Sequence, residues 1–188
     1  MAKDAYNNVM AKLFWGRLPV EHASALFYYE GHSETANIIY QLKYKGHPEI
    51  GYIMGRMVAK EFMCDDFFYG IDGIVPVPLT KDRFKARGYN QSEEIAKGIS
   101  EITGLPIYND LVKRTVFQGS QTRKSRWERN DNVEHVFTAN KPIPARLKHL
   151  LVVDDVVTTG ATIVACSSKL VQSDDIKISV LSLGLTKR

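Results

Sequence analysis

The chain has 188 residues, 44% of them hydrophobic and 24% charged, which suits one compact domain and excludes wholesale disorder. Formal net charge is +4, a mild bias toward anionic partners that does not choose between phosphates and nucleic acids. Cys64 and Cys166 lie far apart with no C-x-x-C pair, so neither a structural zinc site nor a disulfide framework is expected. They read as two buried thiols in a reducing compartment.

Met1 to Leu18 mixes Lys3, Asp4, Lys12 and Arg17 among apolar residues, without the continuous apolar stretch of a signal peptide. No apolar run is long enough to span a bilayer, so a cytoplasmic protein without a membrane segment is expected. Ala25 to Tyr29 predicts a short strand, and Glu30-Gly31-His32 a turn. Ser33 can cap a helix running to about Tyr44. Pro48 opens the next helix, whose Ile50, Ile53, Met54, Met57 and Val58 follow the spacing of one apolar face.

From Ile71 the texture changes. Ile74 to Pro78 is a short apolar strand stopped by proline, followed by a basic, polar connection from Lys81 to Tyr89. Asn90 then caps a helix with Glu93 three residues on and a buried stripe of Ile95, Ile99 and Ile102. Pro106 and Ile107 begin a short extended piece. Leu111 to Asn132 carries Arg114, Arg123, Lys124, Arg126 and Arg129 with few large apolar residues, and reads as an exposed arm. After a Pro-rich link near Ala139 to Ala145, Leu150 to Val153 is the most apolar run, typical of a parallel strand buried on both faces. A helix with Ile163, Cys166 and Leu170 inward follows, then a last strand from Ile176 to Leu185.

This alternation predicts an α/β fold: a central, mostly parallel sheet flanked by helices. Residues 1–70 are expected as an N-terminal part with flanking helices, and 71–188 as the core, in one compact unit. Ligands of such sheets bind beyond the carboxyl ends of strands, here Pro76 to Thr80 and Asp154 to Thr162.

The second of these segments carries the argument. A buried strand ejects two adjacent carboxylates, Asp154 and Asp155, which cannot be core without partners. Two neighbouring acceptors suit the vicinal hydroxyls of a ribose. Val157, Thr158, Thr159, Gly160, Ala161 and Thr162 then form a turn of small, hydroxylated residues opening a helix, where free amides and hydroxyls make an anion site. A diol clamp followed by a phosphate cradle describes a seat for ribose 5-phosphate. The plainer reading is an acid pair that merely caps the next helix.

The whole string is similar to the phosphoribosyl pyrophosphate (PRPP) signature of type I phosphoribosyltransferases. Four further segments, Leu42 to Gly46, Val75 to Leu79, Arg87 to Gln91 and Gln121 to Arg129, resemble the ComF family, whose members are associated with DNA uptake in bacterial competence. The resemblance runs from about Ala25 onward. Family members commonly carry an N-terminal cysteine-rich zinc module, and this sequence has none. The transferase half of glutamine-dependent amidophosphoribosyltransferases is also similar, but their glutaminase half needs an N-terminal cysteine, and the first here is Cys64.

The resemblance implies that Asp154 and Asp155 hold the ribose hydroxyls, with Mg²⁺ bridging sugar and pyrophosphate and touching these acids only through Mg-PRPP. It implies that Val157 to Thr162 hold the 5′-phosphate, and that Val77, Pro78, Leu79 and Thr80 form the pyrophosphate loop through backbone amides. Arg114 and the run containing Arg123 and Arg126 would close over pyrophosphate as a mobile arm. Arg83, Lys85 and Arg87, with Tyr89-Asn90-Gln91, stand where they can touch phosphate or acceptor. Lys43 and Lys45 read as ordinary helix-end cations, and Trp15, Phe27, Tyr28 and Tyr29 as packing. A nitrogen acceptor, base or amine, would attack C1 of PRPP and release pyrophosphate. In type I enzymes a variable hood supplies the acceptor pocket, and the resemblance implies that here it is expected from the first 70 residues, where no pattern names the acceptor. Two alternatives stay open: a PRPP or nucleotide binder without turnover acting in DNA uptake, and a single-stranded DNA binder using Arg123 to Arg129 with Trp127 for stacking. A homodimer is also open.

Overall fold

The computed structural model describes residues 8–115, 136–171 and 176–187. Asn8 caps the first helix, α1 (Val9–Lys12), by accepting from the Met10 and Ala11 amides at 2.9 and 3.0 Å. Strand β1 (Ala23–Tyr29) leads to α2 (Glu34–Tyr44), which Ser33 caps as expected, and then to α3 (Pro48–Met63), opened by its proline. Strand β2 (Gly73–Pro76) follows. The stretch read as a basic connection is a helix, α4 (Lys81–Arg87), capped by Thr80 and ended by Gly88 at φ +82°. It buries none of its residues, so no apolar stripe announces it. Then come α5 (Gln91–Thr103, capped by Asn90), β3 (Val112–Arg114), β4 (Phe137–Ala139), β5 (His149–Val157), α6 (Ala161–Ser167) and β6 (Lys177–Thr186).

The main sheet has the order β1-β6-β5-β2, and every neighbouring pair in it is parallel. All four carboxyl ends therefore meet along one edge. Strands β3 and β4 form a separate antiparallel ribbon. The central strand β5 feeds both sides of the sheet: Leu150 and Val152 pack in one core with Met10, Phe14, Ile163 and Cys166, while Leu151 and Val153 pack in the other with Leu42, Val58, Ile95 and Ile99. Burial on both faces explains its unbroken apolar run. The segment expected as a hood supplies the edge strand β1, hydrogen-bonded to β6 from Ala23 to Tyr29, and one helix pair partner, α3.

Three readings of side-chain placement are corrected. The buried face of α3 is Gly51, Met54, Gly55, Val58, Ala59 and Phe62, while Ile53 and Met57 stay half-exposed. The reason lies in α5, which approaches α3 backbone to backbone. A Cβ on Gly55 would lie 2.1 Å from the Ile95 carbonyl oxygen, and one on Gly98 would lie 2.1 Å from that of Tyr52. Glycine, which carries no hydropathic signal, sets this interface. Trp15 is exposed rather than packed, with Lys12 over its ring. Cys64 is exposed, whereas Cys166 is buried.

Candidate functional site

Pro76 pairs with Val153, and β5 runs on past the end of β2 to Val157. In this overhang the ladder changes. Pairing skips one row across three strands, Leu26 of β1, Leu183 of β6 and Asp155 of β5. The amides around that break are satisfied by the acids themselves: the Asp155 N–H donates to Asp154 Oδ1 at 2.9 Å, and the Val156 N–H to Asp155 Oδ1 at 2.6 Å. The acid pair thus holds the strand tip in shape.

The same pair faces a cavity of about 430 Å³ at the carboxyl edge. Ser92, in the first turn of α5, donates its hydroxyl to Asp154 Oδ1 at 3.0 Å. Lys43, near the end of α2, lies 3.0 Å from Asp155 Oδ1. Asp155 is thereby compensated, while Asp154 has no cation within ion-pair distance among the described residues. Burial, and then the charge of Asp155, push the Asp154 carboxyl up to about 7. The acids line the cavity wall and are not sealed into either core.

The following turn is open to solvent at Thr158 and Thr159. Gly160 takes φ +75°, and a Cβ there would meet the Phe14 ring at 3.0 Å, so both conformation and space require glycine. Arg17 ties the turn to α1's end, donating to the Thr159 carbonyl at 2.7 Å and that of Leu13 at 3.1 Å. The Ala161 amide meets Thr159 Oγ1 at 3.4 Å, and Thr162 lines the cavity.

The same cavity is lined by Arg83, Arg87 and Arg114. Arg87 donates to Gln91 Oε1 at 2.8 Å and lies over the Tyr44 ring at 5.4 Å. Arg114, expected in a mobile arm, instead belongs to β3, opposite Phe137 of β4, with its guanidinium over that ring at 5.1 Å. Pairing of the ribbon removes it from the arm. Arg123 and Arg126, with Lys124, Trp127 and Arg129, lie outside the described residues.

The segment read as an amide loop is also corrected in part. The Val77 N–H donates to the Val153 carbonyl at 2.9 Å, and Pro78 has no N–H, so only Leu79 and Thr80 retain amides for a ligand. Asn90 does more than cap: its Nδ2 holds the Val77 carbonyl at 3.1 Å. Ser92 as a partner of the acids went unread, for nothing in its neighbourhood marks it. Lys43 was read only as a helix-end cation; its α2 position brings it to Asp155. Among the described residues no group of three or more His, Cys, Asp or Glu side chains could by itself hold a metal ion. No described helix is long and apolar enough to cross a membrane.

No family model matches the chain. It is similar to DNA utilization protein YhgH of Escherichia coli (strain K12), 30% identical over 152 residues that make up 79% of this chain and 66% of that protein. Competence protein F of Haemophilus influenzae is 34% identical over 95 residues, 49% of this chain and 41% of that protein. Competence protein ComFC of Streptococcus pneumoniae is 33% identical over 110 residues, 57% of this chain and 46% of that protein. The matched stretch thus spans just under two thirds of YhgH and less than half of the two competence proteins. These similarities support a relationship to the ComF family of competence proteins.

Proposed function

We propose that this chain binds PRPP at the carboxyl edge of its sheet and transfers the phosphoribosyl group to a nitrogen acceptor, releasing pyrophosphate. The observation that carries this reading is the acid pair Asp154–Asp155 at the tip of β5, lining one cavity together with Arg83, Arg87 and Arg114. Carboxylates accept from vicinal hydroxyls; guanidinia suit phosphate oxygens. A ligand with a diol in its middle and anionic groups at both ends meets both demands.

In the proposed reaction a lone pair on the acceptor nitrogen forms the new bond to C1, while the C1–oxygen bond breaks and its electrons leave with pyrophosphate. Asp154 and Asp155 orient the ribose through its hydroxyls. The Thr158 to Thr162 turn, with its exposed hydroxyls, takes the 5′-phosphate. Arg83, Arg87 and Arg114, fixed before the reaction, stabilise charge developing on the leaving group. The acceptor's surplus proton passes to solvent or to a carboxylate of the pair. Mg²⁺ would enter with PRPP, meeting Asp154 and Asp155 only through that ligand, and would neutralise leaving-group charge when bound.

Names of the relatives speak of DNA utilization and competence. We infer a cellular setting in DNA uptake or handling, which also leaves room for a PRPP binder without turnover or for contact with single-stranded DNA. Incubation with PRPP, Mg²⁺ and a panel of bases and amines, reading pyrophosphate, separates these readings. Acceptor-dependent release is expected. PRPP binding without release across the panel would move the chain to the non-catalytic reading, and absence of PRPP binding would refute both.

A further inference from the structure

Trp15 is 60% exposed, although tryptophan is among the side chains with most apolar surface to bury. Its indole N–H meets no acceptor among the described residues, and Lys12 stands over the ring at 5.8 Å. A loose chain does not explain this position. Phe14 beside it is fully buried, the Arg17 and Leu18 amides both donate to the Phe14 carbonyl at 2.9 and 3.0 Å, and Gly16 takes φ +69°. From Nη1, Arg17 ties the bend to the Leu13 and Thr159 carbonyls. A braced backbone thus holds the indole at the surface.

Beside it lies a second cavity, of about 510 Å³, where Ala11, Leu18, Pro19 and Val20 give an apolar lining to Trp15 and Arg17. It shares no lining residue with the cavity that holds the acid pair. An apolar hollow of this size with a few polar groups at its edge has the make-up of a small-molecule site. The charge around it has one sign. Lys12 and Arg17 are the charged residues between Asn8 and Val20, with no acid among them, and Glu21 beyond lies 3.5 Å from Lys177. Both bonds of Arg17 leave from Nη1, so its Nη2 and Nε remain to meet an anion.

We propose that this cavity is a separate binding site for a mononucleotide, whose base stacks on Trp15 and whose phosphate meets Lys12 and Arg17. The indole face accepts any base, and the two cations suit phosphate oxygens. No other aromatic side chain lines the cavity, which fits one base and not a run of them. The site stands on other residues than the PRPP reading does and does not depend on it.

Fluorescence titration of the full chain with AMP tests this. The sequence holds two tryptophans, so Trp127→Phe leaves Trp15 as the single indole reporter. AMP is expected to quench its emission saturably, while adenosine, which lacks the phosphate, and ribose 5-phosphate, which lacks the base, bind at least about tenfold more weakly. By calorimetry, Trp15→Leu should lower AMP affinity by about tenfold or more, the range of one lost base–aromatic stack, and Trp15→Tyr should restore most of it. Asp154→Asn with Asp155→Asn should leave this AMP affinity unchanged, which separates the site from the carboxyl edge. Circular dichroism melts establish that each variant folds, and the quench with its ranking of three ligands stands as a test even if Trp15→Leu does not. Absence of a saturable quench overturns the proposal, and so does a folded Trp15→Leu with unchanged AMP affinity. AMP binding abolished by the paired asparagines places the nucleotide at the acids and equally overturns it. An oligothymidylate that quenches Trp15 where AMP does not would assign the cavity to single-stranded nucleic acid and refute the mononucleotide site.

Discussion

Two carboxylate sites stand at opposite ends of the same parallel sheet, and they are spent differently. Asp72, just before β2, accepts the backbone amides of Lys148 and His149 at 2.6 and 2.9 Å, and so holds the entry of β5 against β2. Its chemistry is used up inside the fold. At the exit of the same strand, Asp154 and Asp155 also satisfy amides, yet they keep a cavity in front of them, and Asp154 has a raised proton affinity. An acid that closes a fold is content with its partners. An acid kept for a ligand is left wanting one.

The contrast can be broken most sharply at the exit. Asp154→Asn with Asp155→Asn should lower PRPP affinity by more than about a hundredfold, since two charge-assisted hydrogen bonds of about 1.5–3 kcal/mol each would be lost. Pyrophosphate titration of the same variant should be affected far less, because Arg83, Arg87 and Arg114 remain. Wild-type PRPP affinity in this double variant would reduce the acid pair to a structural cap.

Proton linkage sharpens the comparison next. Only ionised Asp154 is a pure acceptor for a hydroxyl, so PRPP affinity should rise with pH and level off above about 7, falling about tenfold per unit below that point. Stability of the ligand-free chain should run the opposite way. The folded-state value lies above the ordinary 3.8, so this group's contribution is full below about 4 and is lost as pH rises through about 7. Thermal melts and binding isotherms across pH 5 to pH 8 check both signs. A flat affinity profile would contradict the assignment.

Asp72→Ala should give the mirror image of the exit variant: about 1–3 kcal/mol of stability lost through two unmet amides, with PRPP affinity unchanged. Chemical denaturation beside calorimetry reads both. The smallest effect is expected at Gly160→Ala, about 1–2 kcal/mol in stability from the left-handed conformation alone, with crowding against Phe14 added and a matching loss in grip on the 5′-phosphate.

How far the sequence reveals this site depends on how locally each part is written. The acid pair and the turn after it lie in one uninterrupted string, Leu150 to Thr162, in which a strand buried on both faces, two carboxylates and a glycine follow in order. That part was legible, and so was the parallel sheet it requires. The arginines were each named as phosphate contacts, but their meeting on one cavity was not legible. Arg83, Gln91 and Arg114 come from α4, α5 and β3, and only folding brings them to one surface. Helix α4 itself lacked any apolar period to reveal it, and Arg114 looked like part of a charged arm until the ribbon with Phe137 claimed it. On α3, large apolar residues suggested one stripe, but close approach of helix backbones through glycine rotated the buried face away from Ile53 and Met57.

That glycine contact has a reach beyond packing. The N-terminus of α5 presents Asn90 to the Val77 carbonyl, Gln91 to Arg87 and Ser92 to Asp154, three attachments on three consecutive residues. With Gly55 and Gly98 seated against carbonyl oxygens of the neighbouring helix, α5 has no slack to slide or roll. It acts as a ruler whose end sets the spacing between Asp154 and Arg87. Substitutions at Gly55 or Gly98, remote from any ligand atom, would therefore misread that distance.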